Sequence, residues 1–136
     1  MKVMSYSQVA QSKELRNYFA RGRGICEKHI EVFGSLLRED DLPTPTTYES
    51  EVTSSTEPPF SDKIMLFMIL SLGSVVVSRY GTALSLCTRR DIAAHFTRLI
   101  AETVNYLEDG MNLMIKYGWS EQPPQSLDRK ALVKGK

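Results

Sequence analysis

Apolar residues recur at helical spacing in three long stretches of this chain, and no stretch alternates as a strand would. In the first, Leu15, Tyr18, Gly22, Ile25, His29, Val32, Phe33 and Leu36 fall on one stripe, while Arg16, Arg23, Lys28, Glu31 and Arg38 lie largely off it. The pattern predicts a helix over about 8–41, stopped by Leu42-Pro43-Thr44-Pro45, where proline removes a donor and biases its predecessor away from helical geometry. A connector over 42–60 follows, rich in Pro, Thr, Ser and Glu and without apolar periodicity. Its length suits a crossing along a helical bundle, with Thr47-Tyr48 and Val52 tacking it to the helices.

The second helix, over 61–87, has a marked start. Ser61 is a good N-cap, Asp62 sits well in the first turn, and Phe60 is placed to staple onto Met65. From Ile64 to Val77 it is polar only at Ser71 and Ser74, the pattern of a central helix covered on all sides. That apolar run is about 14 residues before Ser78-Arg79, short of the roughly 20 a bilayer crossing needs, so no membrane insertion is expected. Ser71, Ser74, Ser78, Gly81 or Thr82, and Ser85 make a stripe of small side chains that lets another helix approach closely.

The third helix, over 88–117, is predicted to start at Thr88, with Asp91 three residues on completing a capping box. Ile92, Phe96, Leu99, Thr103, Tyr106, Gly110 and Met114 form its inner stripe. Gly118 supplies the left-handed ending, with Trp119 folding back toward Met114. A tail over 119–136 remains. The whole of 1–136 is one domain, all-α, with three long helices.

Three helices are too few to cover the second one. An exposed apolar patch of that size marks an interface. A fourth helix is therefore expected from a second copy or a separate segment, with Ile64, Phe67, Met68, Leu72 and Val76 at the contact. The expected partner is a second copy of the chain, a homodimer or larger helical assembly.

Composition alters this little. Hydrophobic residues make up 42% of the 136, enough for a core, and the net charge of +1 gives no field to recruit nucleic acid. Cys26 and Cys87 lack a CxxC setting and are expected as buried thiols of a reducing compartment. Met1 to Ser5 carries no secretory-signal pattern, and a soluble, cytoplasmic chain is expected.

Five strings carry a resemblance: Glu39-Asp40-Asp41-Leu42-Pro43-Thr44-Pro45; Thr53-Ser54-Ser55-Thr56-Glu57-Pro58-Pro59-Phe60-Ser61-Asp62-Lys63; Arg89-Arg90-Asp91; Asp109-Gly110-Met111-Asn112-Leu113-Met114-Ile115; and Gly118-Trp119-Ser120-Glu121-Gln122-Pro123-Pro124. As a set they resemble the spore-coat-like, ferritin-type bundle proteins of bacilli, over roughly residues 12 to 130. The resemblance implies a ferritin-like up-down bundle, this chain matching a second repeat unit without its first helix. It also implies spore or stress association, and it carries no established activity. Relatives place a histidine where Met68 stands, so the metal site such a histidine would build loses a ligand here.

Candidate chemistry is sparse. His29 lies on the inner stripe of the first helix. His95, Glu102 and Asp91 share roughly one edge of the third, a set that could hold a transition metal inside a bundle. The Glu-x-x-His repeat of di-iron bundles is absent, and a core histidine satisfied by a neighbour such as Tyr18 or Tyr106 is the simpler expectation. No cofactor is predicted. Cys26 stands one turn from His29, but nothing supplies an oxyanion hole. Gly22-Arg23-Gly24 lies inside a helix and cannot cradle phosphate. Arg16, Arg21, Arg23 and Lys28, interleaved with Tyr18 and Phe19, read as a solvated face. The expected function is a non-catalytic structural or spore-associated bundle. The rival is a metal- or small-ligand-binding bundle.

Overall fold

The computed structural model describes residues 2–46 and 49–120, and among these the regular secondary structure is all helical. A short α1 (Lys2–Val9) precedes three long helices, α2 (Lys13–Glu39), α3 (Asp62–Leu86) and α4 (Arg90–Lys116), with one 3-10 turn at Glu49–Glu51 in the connector. Residues 121–136 of the expected tail over 119–136 and the Thr47-Tyr48 contact lie outside the described residues.

Side-chain pairs fix the directions of the helices. Lys116 meets Glu14, Lys28 meets Glu102 and Arg89 meets Asp40, so α2 and α4 run antiparallel along their whole length. The Gln11 and Ser12 amides meet Asp62, and His29 meets Tyr80, so α2 and α3 run parallel. The connector between them therefore returns the length of the bundle, about 40 Å for a 27-residue helix. Helices α3 and α4 form a tight antiparallel hairpin around Cys87-Thr88-Arg89.

Two glycines set the closeness of packing on α4. A Cβ at Gly73 would fall under 3.0 Å from the Leu107 side chain, and one at Gly110 would fall under 3.0 Å from both Tyr18 and Leu70. Gly110 stood on the expected inner stripe; Gly73 did not stand out, because a glycine in an apolar run carries no periodic signal.

Helix α1 was not foreseen. The expected single helix instead breaks at Ala10–Ser12, because both carboxylate oxygens of Asp62 accept backbone amides there, Gln11 N at 3.0 Å and Ser12 N at 2.9 Å. Arg16 holds the same corner by donating to the Ala10 and Gln11 carbonyls. The corner lays α1 against α2 and α3. Tyr6 is then buried beside Phe19, ring centroids 5.9 Å apart, and its hydroxyl lies 3.3 Å from the sulfur of Met68. Phe19, off the expected stripe, is fully buried for this reason. Val52 does reach the helices, lining a cleft of about 240 Å³ with Tyr6 and Val9.

The helix ends follow local chemistry. Ser61 caps α3 as expected, its Oγ accepting Ile64 N, while Phe60 stays 47% exposed, so the seal over Met65 is made elsewhere. Helix α2 ends two residues early: Asp41 takes a positive φ of 55°, and Leu42 N donates to Leu37 O, a Schellman ending formed before the proline acts. Thr88 does not cap α4. The helix starts at Arg90 behind Arg89, whose guanidinium takes Asp91 into an ion pair, so the expected capping box does not form. At the far end Gly118 has φ 66°, with Trp119 N on Met114 O and Gly118 N on Ile115 O, the ending expected.

The three helices leave much of α3 uncovered within the chain, as expected. Only Met65, Leu66, Ile69 and Leu70 of α3 are buried, while Ile64, Phe67, Leu72, Val75 and Leu86 are exposed. The length argument against a membrane crossing fails. The helix passes Ser78-Arg79 without a break, and by length and composition alone it could span a bilayer. Such a helix also occurs as one whose cover is another protein surface.

Candidate functional site

Among the described residues the only buried histidine or charged-type side chain is His29, on the inner stripe of α2 where it faces α3 and α4. Its Nδ1 lies 3.2 Å from the Tyr80 hydroxyl and its Nε2 3.3 Å from a Glu102 oxygen. Lys28 donates to the other Glu102 oxygen at 2.7 Å. Burial holds the imidazole pKa below its ordinary value, against the opposing pull of Glu102. The Lys28 hydrogen bond, with help from His29, holds Glu102 below the usual carboxylate range. The result at neutral pH is a neutral histidine bracketed by a phenol and an ion pair.

The four expected metal ligands are not assembled. His29 and Glu102 come together. His95 lies two turns from Glu102 on α4, about 10 Å along the axis. Asp91 sits at the exposed end of α4 and is taken by Arg89. Among the described residues no three His, Cys, Asp or Glu side chains gather as a ligand set.

The partner expected for His29 was also misplaced. Tyr18 and Tyr106 bond each other: each hydroxyl donates to the other residue's carbonyl, at 3.0 and 3.2 Å, and the rings stack at 4.3 Å. Burial pushes the Tyr18 phenol up to about 12 and raises that of Tyr106 as well, so both remain donors. Tyr80 takes the histidine and joins Phe33 and Phe96 in an aromatic cluster below it. Helical spacing does place Tyr80 two turns after Gly73, on the inner side of α3, which was the available signal.

Cys26 was expected in the core and is exposed, on the face of α2 that α1 leaves open; Cys87 is half-buried and both thiols are free. No hydrogen bond links Cys26 to His29, whose partners are Tyr80 and Glu102. The basic cluster resolves into separate contacts. Arg16 holds backbone carbonyls, Arg21 pairs with Asp109, Arg23 with Glu27, and Lys28 with Glu102. Arg21 also stacks over the Tyr18 and Tyr106 rings, and with Glu14, Asn17 and Asn112 it borders an open cleft of about 390 Å³.

Of the expected contact residues, Ile64, Phe67 and Leu72 are exposed and Val76 is half-buried, while Met68 is taken by Tyr6 of α1. On a helical projection the exposed positions of α3 form two strips. One follows Leu72, Val75 and Arg79 below the end of α1, facing Cys26 and Ile30 of α2. The other follows Ile64, Phe67, Ser71, Ser74, Ser78 and Ser85 on the outside, flanked by Val104, Met111 and Ile115 of α4.

The chain belongs to a family of proteins of unknown function, DUF3231, whose model matches residues 1–132. The family description names neither a spore coat nor ferritin. No curated protein and no solved structure matches the chain.

Proposed function

We propose that this chain is a non-catalytic structural bundle that works as a homodimer. The observation that carries the reading is the uncovered length of α3, where Phe67 is 60% exposed and Leu86 78%. Burying a side chain of that kind is worth about 1.5–3 kcal/mol, so a few of them supply a strong drive to associate. The finer reading is a ferritin-like four-helix arrangement holding three of its helices, with α1 over the upper part of the fourth position. The long parallel crossover from α2 to α3 supports it. Spore or stress association rests on the resemblance of the five strings alone.

A second reading, a bundle that binds a metal or small ligand, is favoured by the contact of His29 with Glu102. Metal content of the purified chain and of His29→Gln separates the two. A structural bundle carries no stoichiometric iron, zinc or manganese, and its assembly survives the substitution. Near-stoichiometric metal lost in His29→Gln would overturn the structural reading.

A further inference from the structure

We propose that two copies pair through the outer strip of α3, antiparallel and with the two-fold axis at Ser74. The proposal rests on the reading above that the chain self-associates, and adds which face does so and in which direction.

An isologous interface must be complementary to itself, because each patch meets its own image. The outer strip meets that condition in one direction only. Its N-terminal half is large, with Ile64 48% and Phe67 60% exposed. Its C-terminal half is small, with Ser78, Gly81 and Ser85, and a Cβ placed on Gly81 would meet nothing within 4 Å. Antiparallel pairing about Ser74 puts Phe67 of one copy over the hole at Gly81 of the other, and brings Ile64 within one residue of the level of Ser85. Parallel pairing would set Phe67 against Phe67 and leave the hole empty.

Among the described residues one hydroxyl on the strip, that of Ser78, makes no hydrogen bond and would need a partner across the interface. The hydroxyls of Ser71, Ser74 and Ser85 already donate to carbonyls of their own helix, at 2.9, 3.0 and 2.7 Å. No charged side chain stands on the strip between Ile64 and Ser85, since Arg79 projects to the α2 side. Small residues allow close approach of the axes, and Val104, Met111 and Ile115 of α4 close the flank. The other open strip is less suited to self-pairing: Arg79 lies in it, with no hydrogen bond or ion pair to another described residue.

The test is cysteine cross-linking in the full chain carrying Cys26→Ser and Cys87→Ser, with far-UV circular dichroism confirming each variant's fold. Under mild oxidation Ser74→Cys should link to itself. Its rate should exceed that of the exposed control Asn105→Cys on the order of a hundredfold, the ratio of a millimolar effective concentration to about 10 μM protein. Phe67→Cys and Gly81→Cys should each fail to self-link and should link when mixed. Self-linking of Phe67→Cys and Gly81→Cys would show parallel pairing and overturn the proposal. A dimer in which Ser74→Cys links no faster than the control would place the contact elsewhere, leaving the dimer reading intact. A monomer that pellets with phosphatidylcholine vesicles would overturn both, with lipid as the cover of α3.

Discussion

Gly110→Ala should destabilise the bundle, whereas Gly73→Ala should leave it nearly unchanged. In both cases the added methyl removes glycine's helix penalty, a gain of about 1 kcal/mol. At Gly73 the three nearest atoms all belong to the half-buried, flexible Leu107 side chain, and a rotamer change there is expected to relieve the clash at roughly the cost of the gain. At Gly110 it meets the Tyr18 hydroxyl and Leu70. The phenol cannot step aside, because its hydroxyl bonds Tyr106 O and its ring stacks on Tyr106, which bonds back to Tyr18 O. Overpacking costs about 1–3 kcal/mol and a broken buried hydrogen bond about 1 more. Net destabilisation of about 1–3 kcal/mol follows for Gly110→Ala. Urea unfolding followed by far-UV circular dichroism measures it. Tyr18→Phe in the same background removes the clashing oxygen, so the double-mutant cycle should show a coupling of about 1 kcal/mol or more. Equal stability of Gly110→Ala and Gly73→Ala would refute the claim that the Tyr18 hydroxyl sits locked against the α4 backbone.

The buried imidazole makes a pH prediction. The folded-state pKa of His29 is depressed, so between that value and about 6.5 the unfolded chain binds the extra proton; stability should fall as pH drops through this window and level off below it. His29→Gln should abolish that slope in urea midpoints taken from pH 7.5 to 5, and its persistence would show that another group titrates. Asp62→Asn weakens the acceptor for the Gln11 and Ser12 amides and removes the first-turn charge; about 1–3 kcal/mol is expected, with α1 losing hydrogen-exchange protection before α3. Gly118→Ala forces a methyl into φ 66° and should cost about 1 kcal/mol, read as a lower thermal midpoint; an unchanged midpoint would mean the α4 ending does not need the left-handed residue.

How much was legible follows from which forces are local. The stripes of α2 and α4, the Ser61 cap and the Gly118 ending depend on residues within a turn or two, and the sequence shows them. The α1 corner depends on Asp62 reaching back to Gln11 and Ser12, a contact across fifty residues that no periodicity announces. Phe19 and Met68 were misjudged for the same reason, since α1 covers both. His29 was legible as a core histidine because it stands on the stripe, but its partners were not. Tyr18 and Tyr106 satisfy each other, leaving Tyr80 and Glu102 to hold the ring. Thr88 lost the cap because Arg89 bridges Asp91 and Asp40, an ion-pair arrangement visible only once α2 lies beside α4.

The most direct test of the account is the solution mass of the intact chain by sedimentation equilibrium, across dilution from about 100 to 1 μM. The account predicts twice the 15.4 kDa chain mass, held over that range or dissociating reversibly within it. A stable particle of 15.4 kDa at every concentration, soluble and folded, would contradict it, since α3 would then stand uncovered in water.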